Sequence, residues 1–247
     1  MLDAIKTTIG LLVLCTLVSP GVSAQETLID EGALECVLEP NIEIDIGAPV
    51  EGLLDEVLVG RGDRIKRGQV LARLISGLEK VTVELAQARV EFGERKLVRN
   101  EDLYRKEVIS LHEKDEMETE VLVWRLQLQQ AREQLKLRKI ISPIDGVIVE
   151  RIKDPGEYVE REPLLTVVGL DPLHVEAVAP ADLYGTIREG MSGKVTTLGP
   201  LSKTYNAQVT LIDQVIDAAS GTIRVRLELP NPGNAIPAGL RCYVTFE

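Results

Sequence analysis

The 27 residues from 48 to 74, APVEGLLDEVLVGRGDRIKRGQVLARL, return without a gap 94 positions later as SPIDGVIVERIKDPGEYVEREPLLTVV. Six positions are identical: Pro49/Pro143, Gly52/Gly146, Glu56/Glu150, Gly62/Gly156, Arg67/Arg161 and Leu71/Leu165. Others are close exchanges, among them Val50/Ile144, Glu51/Asp145, Asp63/Glu157 and Ile65/Val159. Each copy reads as short strands between turns. The glycines supply positive φ where the chain reverses, while Leu53, Leu54, Val57 and Val59, and Val147, Ile148 and Ile152, are strand formers. A single copy is too short to close a core, so the two copies predict the halves of one small β-sandwich. Residues 75 to 141 must then leave that sandwich and come back to it.

The intervening segment has helical periodicity. Ser76-Gly77-Leu78-Glu79 and Ser110-Leu111-His112-Glu113 both have the form of a capping box. Met117, Val121, Trp124, Leu128, Ala131 and Leu135 step by four and three, an uninterrupted heptad seam. On the preceding stretch Leu78, Val81, Leu85, Ala88 and Phe92 recur in the same rhythm and are expected to face it. Two helices, over 78–107 and 111–139, are therefore expected to fold back as an antiparallel coiled-coil hairpin about 45 Å long. A second stripe, Val83, Val90, Leu97 and Tyr104, repeats every seven residues. A two-helix hairpin needs one apolar face per helix, so this stripe is expected to make lateral contact with another copy of the chain, the alternative being scattered surface apolar residues.

From residue 170 onward the composition turns to strands and turns. Alternation in Thr222 to Leu229 and repeated Gly, Pro and Asn predict a small antiparallel β-barrel. PADLYGTI is expected to be one helix across the barrel mouth, and ALECVLEPNIEIDI a strand that joins the barrel. Cys36 and Cys242 lie near opposite ends of the chain, in strand-like stretches. In an oxidising compartment they are a possible disulfide; otherwise they are two small buried hydrophobes.

Export is expected from the first 24 residues. Lys6, the apolar run Ile9 to Val18 and the small residues Val22-Ser23-Ala24 have the form of a signal peptide cleaved near Ala24. The run is too short to span a bilayer core of about 30 Å, and Cys15 lacks the small preceding residue of a lipidation site. The formal net charge of −11 argues against nucleic acid and anionic membrane surfaces as partners. No Ser/His/Asp or paired-carboxylate arrangement stands out, and only His112 and His174 are present. Beyond the leader Met117 and Met191 are the only methionines, too sparse for a soft-metal site. No enzyme activity, cofactor or metal is expected.

The split repeat resembles the biotinyl/lipoyl fold, in which two pseudo-symmetric halves wrap around each other. Carrier members of that fold join the halves by a tight turn bearing the modified lysine; here the turn is replaced by the helical insert. Together with DPLHVEAVAPADL and DAASGTIRVRLELPNPGNAIPAGLRCYVTF in the barrel region, the order resembles the HlyD-like membrane fusion proteins, the periplasmic adaptor subunits of tripartite efflux pumps. The implied fold is mixed α and mainly β. It is a split biotinyl/lipoyl-like sandwich (48–74 and 142–169) with an inserted α-helical hairpin (75–141), followed by a small antiparallel β-barrel (170–247). Residues 1–24 form the leader, and 25–47 a strand joining the barrel.

The resemblance implies a periplasmic, oligomerising adaptor, hexameric in the assembled pump, between an inner-membrane efflux transporter and an outer-membrane channel. Adaptors of resistance-nodulation-division pumps carry Arg, Leu and Ser at the hairpin tip with the spacing of Arg99, Leu103 and Ser110, which implies channel contact by these three. Members often add a membrane-proximal domain built from both chain ends; none is expected from this sequence. An adaptor of an ATP-driven export system is the alternative, and a biotin or lipoate carrier a more distant one.

Overall fold

The computed structural model describes residues 32–199 and 202–246. The proposed leader, with Cys15 and the cleavage site at Ala24, lies outside the described residues.

A long strand, β1 (Leu34–Gly47), leads into the first copy of the repeat, which forms β2 (Gly52–Val57), β3 (Arg64–Ile65) and β4 (Val70–Leu74). The helices α1 (Gly77–Arg105) and α2 (Leu111–Lys136) follow, and β5 (Lys139–Ile141) brings the chain back to β4. The second copy forms β6 (Gly146–Arg151), β7 (Tyr158–Val159) and the start of β8 (Pro163–Pro180). The remainder is β9 (Ser192–Thr197), β10 (Thr204–Ile212), β11 (Thr222–Leu229) and β12 (Arg241–Phe246).

The repeat is visible in the hydrogen bonds. Gly62 N–H donates to the Ile148 carbonyl (2.8 Å), and Gly156 N–H, 94 positions on, donates to Leu54 (2.8 Å), which stands 94 positions before Ile148. The return bonds, Ile148 N–H to Asp63 and Leu54 N–H to Glu157, obey the same relation. So do the short ladders: β3 pairs with β6 through Arg64↔Val147 and Ile65↔Gly146, and β7 pairs with β2 through Tyr158↔Leu53 and Val159↔Gly52. Each half thus lends its turn to the other half's strand. Gly62 and Gly156 have φ of 91° and 90°, a region open to Gly and costly for other residues. Leu54, Leu71, Leu74, Ile140, Ile148 and Leu165 fill the shared core.

β8 is the element common to both β domains. Its first part pairs with β6 in the sandwich, and its second part with β11 in the barrel. β1 runs antiparallel beside it through both. The barrel is closed by six strands in the order β1-β12-β9-β10-β11-β8, with β1 pairing back to β8. A closed barrel has no free edge to aggregate. Strict alternation along β11, with Ile223, Val225, Leu227 and Leu229 buried, supplies one wall of its core.

Two local expectations need correction. PADLYGTI is not a helix across the mouth; only Ala181–Leu183 form a single 3-10 turn. Pro180 is still the last residue of β8, and Gly185, at φ 86°, turns the chain out of any helix. The second departure is at the start of α1. Ser76 makes no side-chain capping bond there, because its backbone, at φ −135° and ψ 24°, is not in the extended conformation of an N-cap; Glu79, the other member of the box, lies 2.7 Å from Arg138.

Candidate functional site: the hairpin and its tip

α2 buries the expected heptad face: Val121, Leu128 and Ala131 are buried, and Met117, Trp124 and Leu135 partly so. α1 meets it with the opposite face from the one expected. Leu78, Val81, Leu85 and Phe92 are 77, 60, 54 and 51% exposed, whereas Val90 is 5% exposed. Val83, Leu97 and Tyr104 are half-buried on the same side as Val90. The stripe Val83, Val90, Leu97 and Tyr104 is therefore the intramolecular seam, and its assignment as a lateral contact between copies is corrected.

Gly93 carries the physical reason. A Cβ on Gly93 would lie 2.6 Å from Trp124 Cζ3 and 2.7 Å from Val121 Cγ2. The two helices approach so closely there that the largest residue of α2 packs on a bare backbone. With Ala86, Gly93 and Asn100 included, the seam positions run 83, 86, 90, 93, 97, 100 and 104, an unbroken heptad over nearly all of α1. The competing stripe ends after Phe92, where its rhythm continues into Arg95 and Arg99.

Polar side chains on both sides of the seam set the stagger of the helices. Arg125 lies 2.7 Å from Glu94, Lys96 3.5 Å from Glu120, and Arg132 donates to Gln87 (2.8 Å). Exposed pairs of this kind contribute about 0–1 kcal/mol each, so they define register more than stability. Toward the tip Asn100 donates to Met117 Sδ (3.1 Å), and the Lys114 ammonium sits 4.6 Å from the Tyr104 ring centroid. Leu97, Ile109 and Met117 border a cavity of about 200 Å³ there.

The tip itself is tightly specified. α1 ends with Glu107 in the left-handed region at φ 55°. Glu107 N–H donates to Tyr104 and Val108 N–H to Leu103, a Schellman closure in which a glutamate occupies the position glycine usually takes. α2 then begins with a complete capping box: Ser110 Oγ accepts from Glu113 N–H, and Ser110 N–H donates to the Glu113 carboxylate (2.7 Å). That backbone bond, with the Ser110 hydroxyl second, holds the Glu113 pKa below the ordinary glutamate value.

Arg99 and Leu103 lie four residues apart on exposed positions of the last turns of α1, and Ser110 caps α2 across the connection. Val108 and Leu111 are also exposed apolar residues at this end, and sequence reasoning did not single them out. Their place at the only break in the heptads was the available signal.

With the seam assigned, both outer faces of the hairpin carry unpartnered apolar residues. On α1 these are Leu78, Val81, Leu85 and Phe92; on α2 they are Leu122, Val123, Leu126 and Leu137. Each set lies opposite its own helix's seam, and the Glu94–Arg125 pair brings Phe92 level with Leu126.

In the barrel Cys36 and Cys242 are direct cross-strand partners of β1 and β12, with Cα atoms 4.8 Å apart and the sulfurs joined. Both are buried. Among the described residues no group of His, Cys, Asp and Glu has the arrangement of a metal site, and no helix is long and apolar enough to cross a membrane.

Comparison with known proteins matches these parts to a family. A model described as a CzcB-like, barrel-sandwich hybrid domain matches residues 43–169, and one described as a CusB-like, beta-barrel domain matches residues 172–247. The chain is 25% identical over 258 residues to the macrolide export protein MacA of Yersinia pestis, covering 90% of this chain and 68% of that one. It is 24% identical over 219 residues to the multidrug resistance protein MexA of Pseudomonas aeruginosa, covering 82% and 57%. Among solved structures, a MacA-MexA chimeric protein containing the Pseudomonas aeruginosa MexA alpha-hairpin domain superposes with a TM-score of 0.72, at 20% identity and covering 87% of this chain and 79% of that one. The chain spans between 54 and 68% of the length of the first curated relatives it matches. The CzcB-like match covers more than half of the chain, and the CusB-like match most of what lies beyond it, so the chain belongs to the membrane fusion protein family.

Proposed function

We propose that the protein is a non-enzymatic adaptor that works in the periplasm, linking an inner-membrane efflux transporter, held at the barrel, to an outer-membrane channel, met by the hairpin tips. Several copies stand side by side and their hairpins form the wall of a conduit. The observation that carries this reading is the pair of unpartnered apolar faces on opposite sides of one hairpin. A contact between the back of α1 in one copy and the back of α2 in the next is heterologous, and heterologous contacts close into a ring when the rotation between copies is a whole fraction of a turn. Six copies is the number implied by resemblance.

The affinity of one such contact is low. A fully buried side chain of this size contributes about 1.5–3 kcal/mol, and association costs about 4 kcal/mol or more in lost freedom. Residues only partly covered leave little surplus, so the protein is monomeric in dilute solution and forms rings where its partners concentrate it. The exported substrate is an antibiotic-like or other small toxic molecule, in keeping with the macrolide and multidrug export relatives. A resistance-nodulation-division transporter is the partner type favoured by Arg99, Leu103 and Ser110 at the tip.

The tip is tested by Arg99→Asp. The residue is exposed, so the substitution changes stability by less than about 0.5 kcal/mol, while efflux in cells is lost. Efflux that persists with the channel still co-purifying removes Arg99 from the docking surface.

A further inference from the structure

We propose that Arg138 is a positioning residue that fixes the angle at which the hairpin leaves the sandwich. It lies between the end of α2 and β5, and its side chain reaches two other parts of the chain. Nη1 donates to the backbone carbonyl of Glu51 (2.9 Å), in the turn before β2. Nη2 lies 2.7 Å from Glu79 Oε1, in the first turn of α1, and the two side chains are only 25 and 17% exposed. One planar guanidinium therefore ties α1 and the sandwich to the end of α2. Its backbone joins in: the Arg138 carbonyl accepts from Leu74 N–H (2.8 Å), and its N–H donates to Leu135.

Two sequence features that looked unrelated are explained by this arrangement. Gly52 is one of the six identities of the repeat, yet its φ is not positive; a Cβ there would lie 2.8 Å from Arg138 Nη1, so glycine leaves the guanidinium its place. Glu79 has the spacing of a capping-box residue, but its carboxylate reaches Arg138. The acid at the start of α1 thus holds the base of the hairpin.

The lever makes this consequential. α1 has 29 residues, about 43 Å at 1.5 Å per residue, so a rotation of about 10° at the base moves the tip by about 7.5 Å. Contacts at the tip cannot survive such a displacement. A partly exposed ion pair stabilises little, whereas a rigid fork that holds two acceptors at once defines an angle.

The inference goes beyond the adaptor reading but draws its functional consequence from it, and one experiment separates the two. Spin labels at Lys106→Cys and Glu150→Cys, both exposed, report the distance from tip to sandwich in the exported chain by double electron–electron resonance. The native background is expected to give one narrow distance. Arg138→Ala, Gly52→Ala and Arg138→Lys are each expected to lose that narrow peak with unchanged melting temperature, the lysine variant because a single ammonium cannot hold both Glu79 and the Glu51 carbonyl. An unchanged distribution in Arg138→Ala and Gly52→Ala overturns the proposal. A fall in melting temperature without broadening overturns it too, by making the residue merely structural; should Arg138→Ala fail to fold, Arg138→Lys and Gly52→Ala decide. Broadening accompanied by normal efflux supports the positioning role and counts instead against docking by the tip.

Discussion

Replacing Val90 and Leu97 together by Glu is expected to melt the hairpin while the sandwich and barrel stay folded. Val90 is 5% exposed and Leu97 lines the seam beside Met117. Each substitution forfeits about 1.5–3 kcal/mol of burial and places a carboxylate among apolar side chains, so the pair costs about 5 kcal/mol or more. Helices of this length are marginal without a packed face, which localises the damage. Far-UV circular dichroism should lose most of its helical signal. Leu85→Glu with Phe92→Glu makes the same chemical change on the outer face and is expected to alter stability by less than about 0.5 kcal/mol. The reverse ranking would mean that the two faces of α1 have been exchanged.

Removing the bridge between β1 and β12 is the second large effect. The cysteines are 206 positions apart, and the loop-entropy relation assigns a closed loop of that length about 5 kcal/mol, a large part of the 5–15 kcal/mol typical of a folded domain. Cys36→Ser with Cys242→Ser in periplasmically produced protein is expected to lower the unfolding free energy obtained from urea titration by that amount, with the barrel unfolding first. The two sulfurs are buried in the barrel core, so reductant should act only once denaturant has opened it. Peptide mapping under non-reducing conditions that recovers both thiols free would remove the bridge and this loss together.

Much of the fold is written in local chemistry. The 94-residue offset between the two halves reappears bond for bond in the sandwich, because identical turns at Gly62 and Gly156 and similar strands at Leu54 and Ile148 leave only one symmetric way to pair. The face of α2 was legible for the same reason: large apolar residues at every seam position. On α1 two stripes share the same periodicity, and rhythm alone over Leu78 to Phe92 does not separate the outer one from the seam. The seam needs small or polar residues, Ala86, Gly93 and Asn100, where Trp124 and Met117 of α2 intrude. Large side chains such as Leu78 and Phe92 remain outside. Continuity of the heptad along the whole helix, rather than hydrophobicity, marks the true seam. The capping box at Ser76 is absent for a different reason: Ser76 does not take the extended N-cap conformation, and Arg138, invisible as a neighbour in the sequence, claims Glu79.

The central claim is that hairpins of successive copies pack back of α1 to back of α2, and disulfide trapping in cells tests it most directly. Phe92→Cys and Leu126→Cys in one chain place a thiol on each outer face at the same height, on opposite sides of the hairpin, so the two cannot meet within a copy. Oxidation in cells that also make the transporter and the channel is expected to give a ladder of cross-linked multimers ending at a closed ring, with either single variant giving at most a dimer. Monomer alone, or a ladder unchanged when one of the two thiols is omitted, would contradict the arrangement.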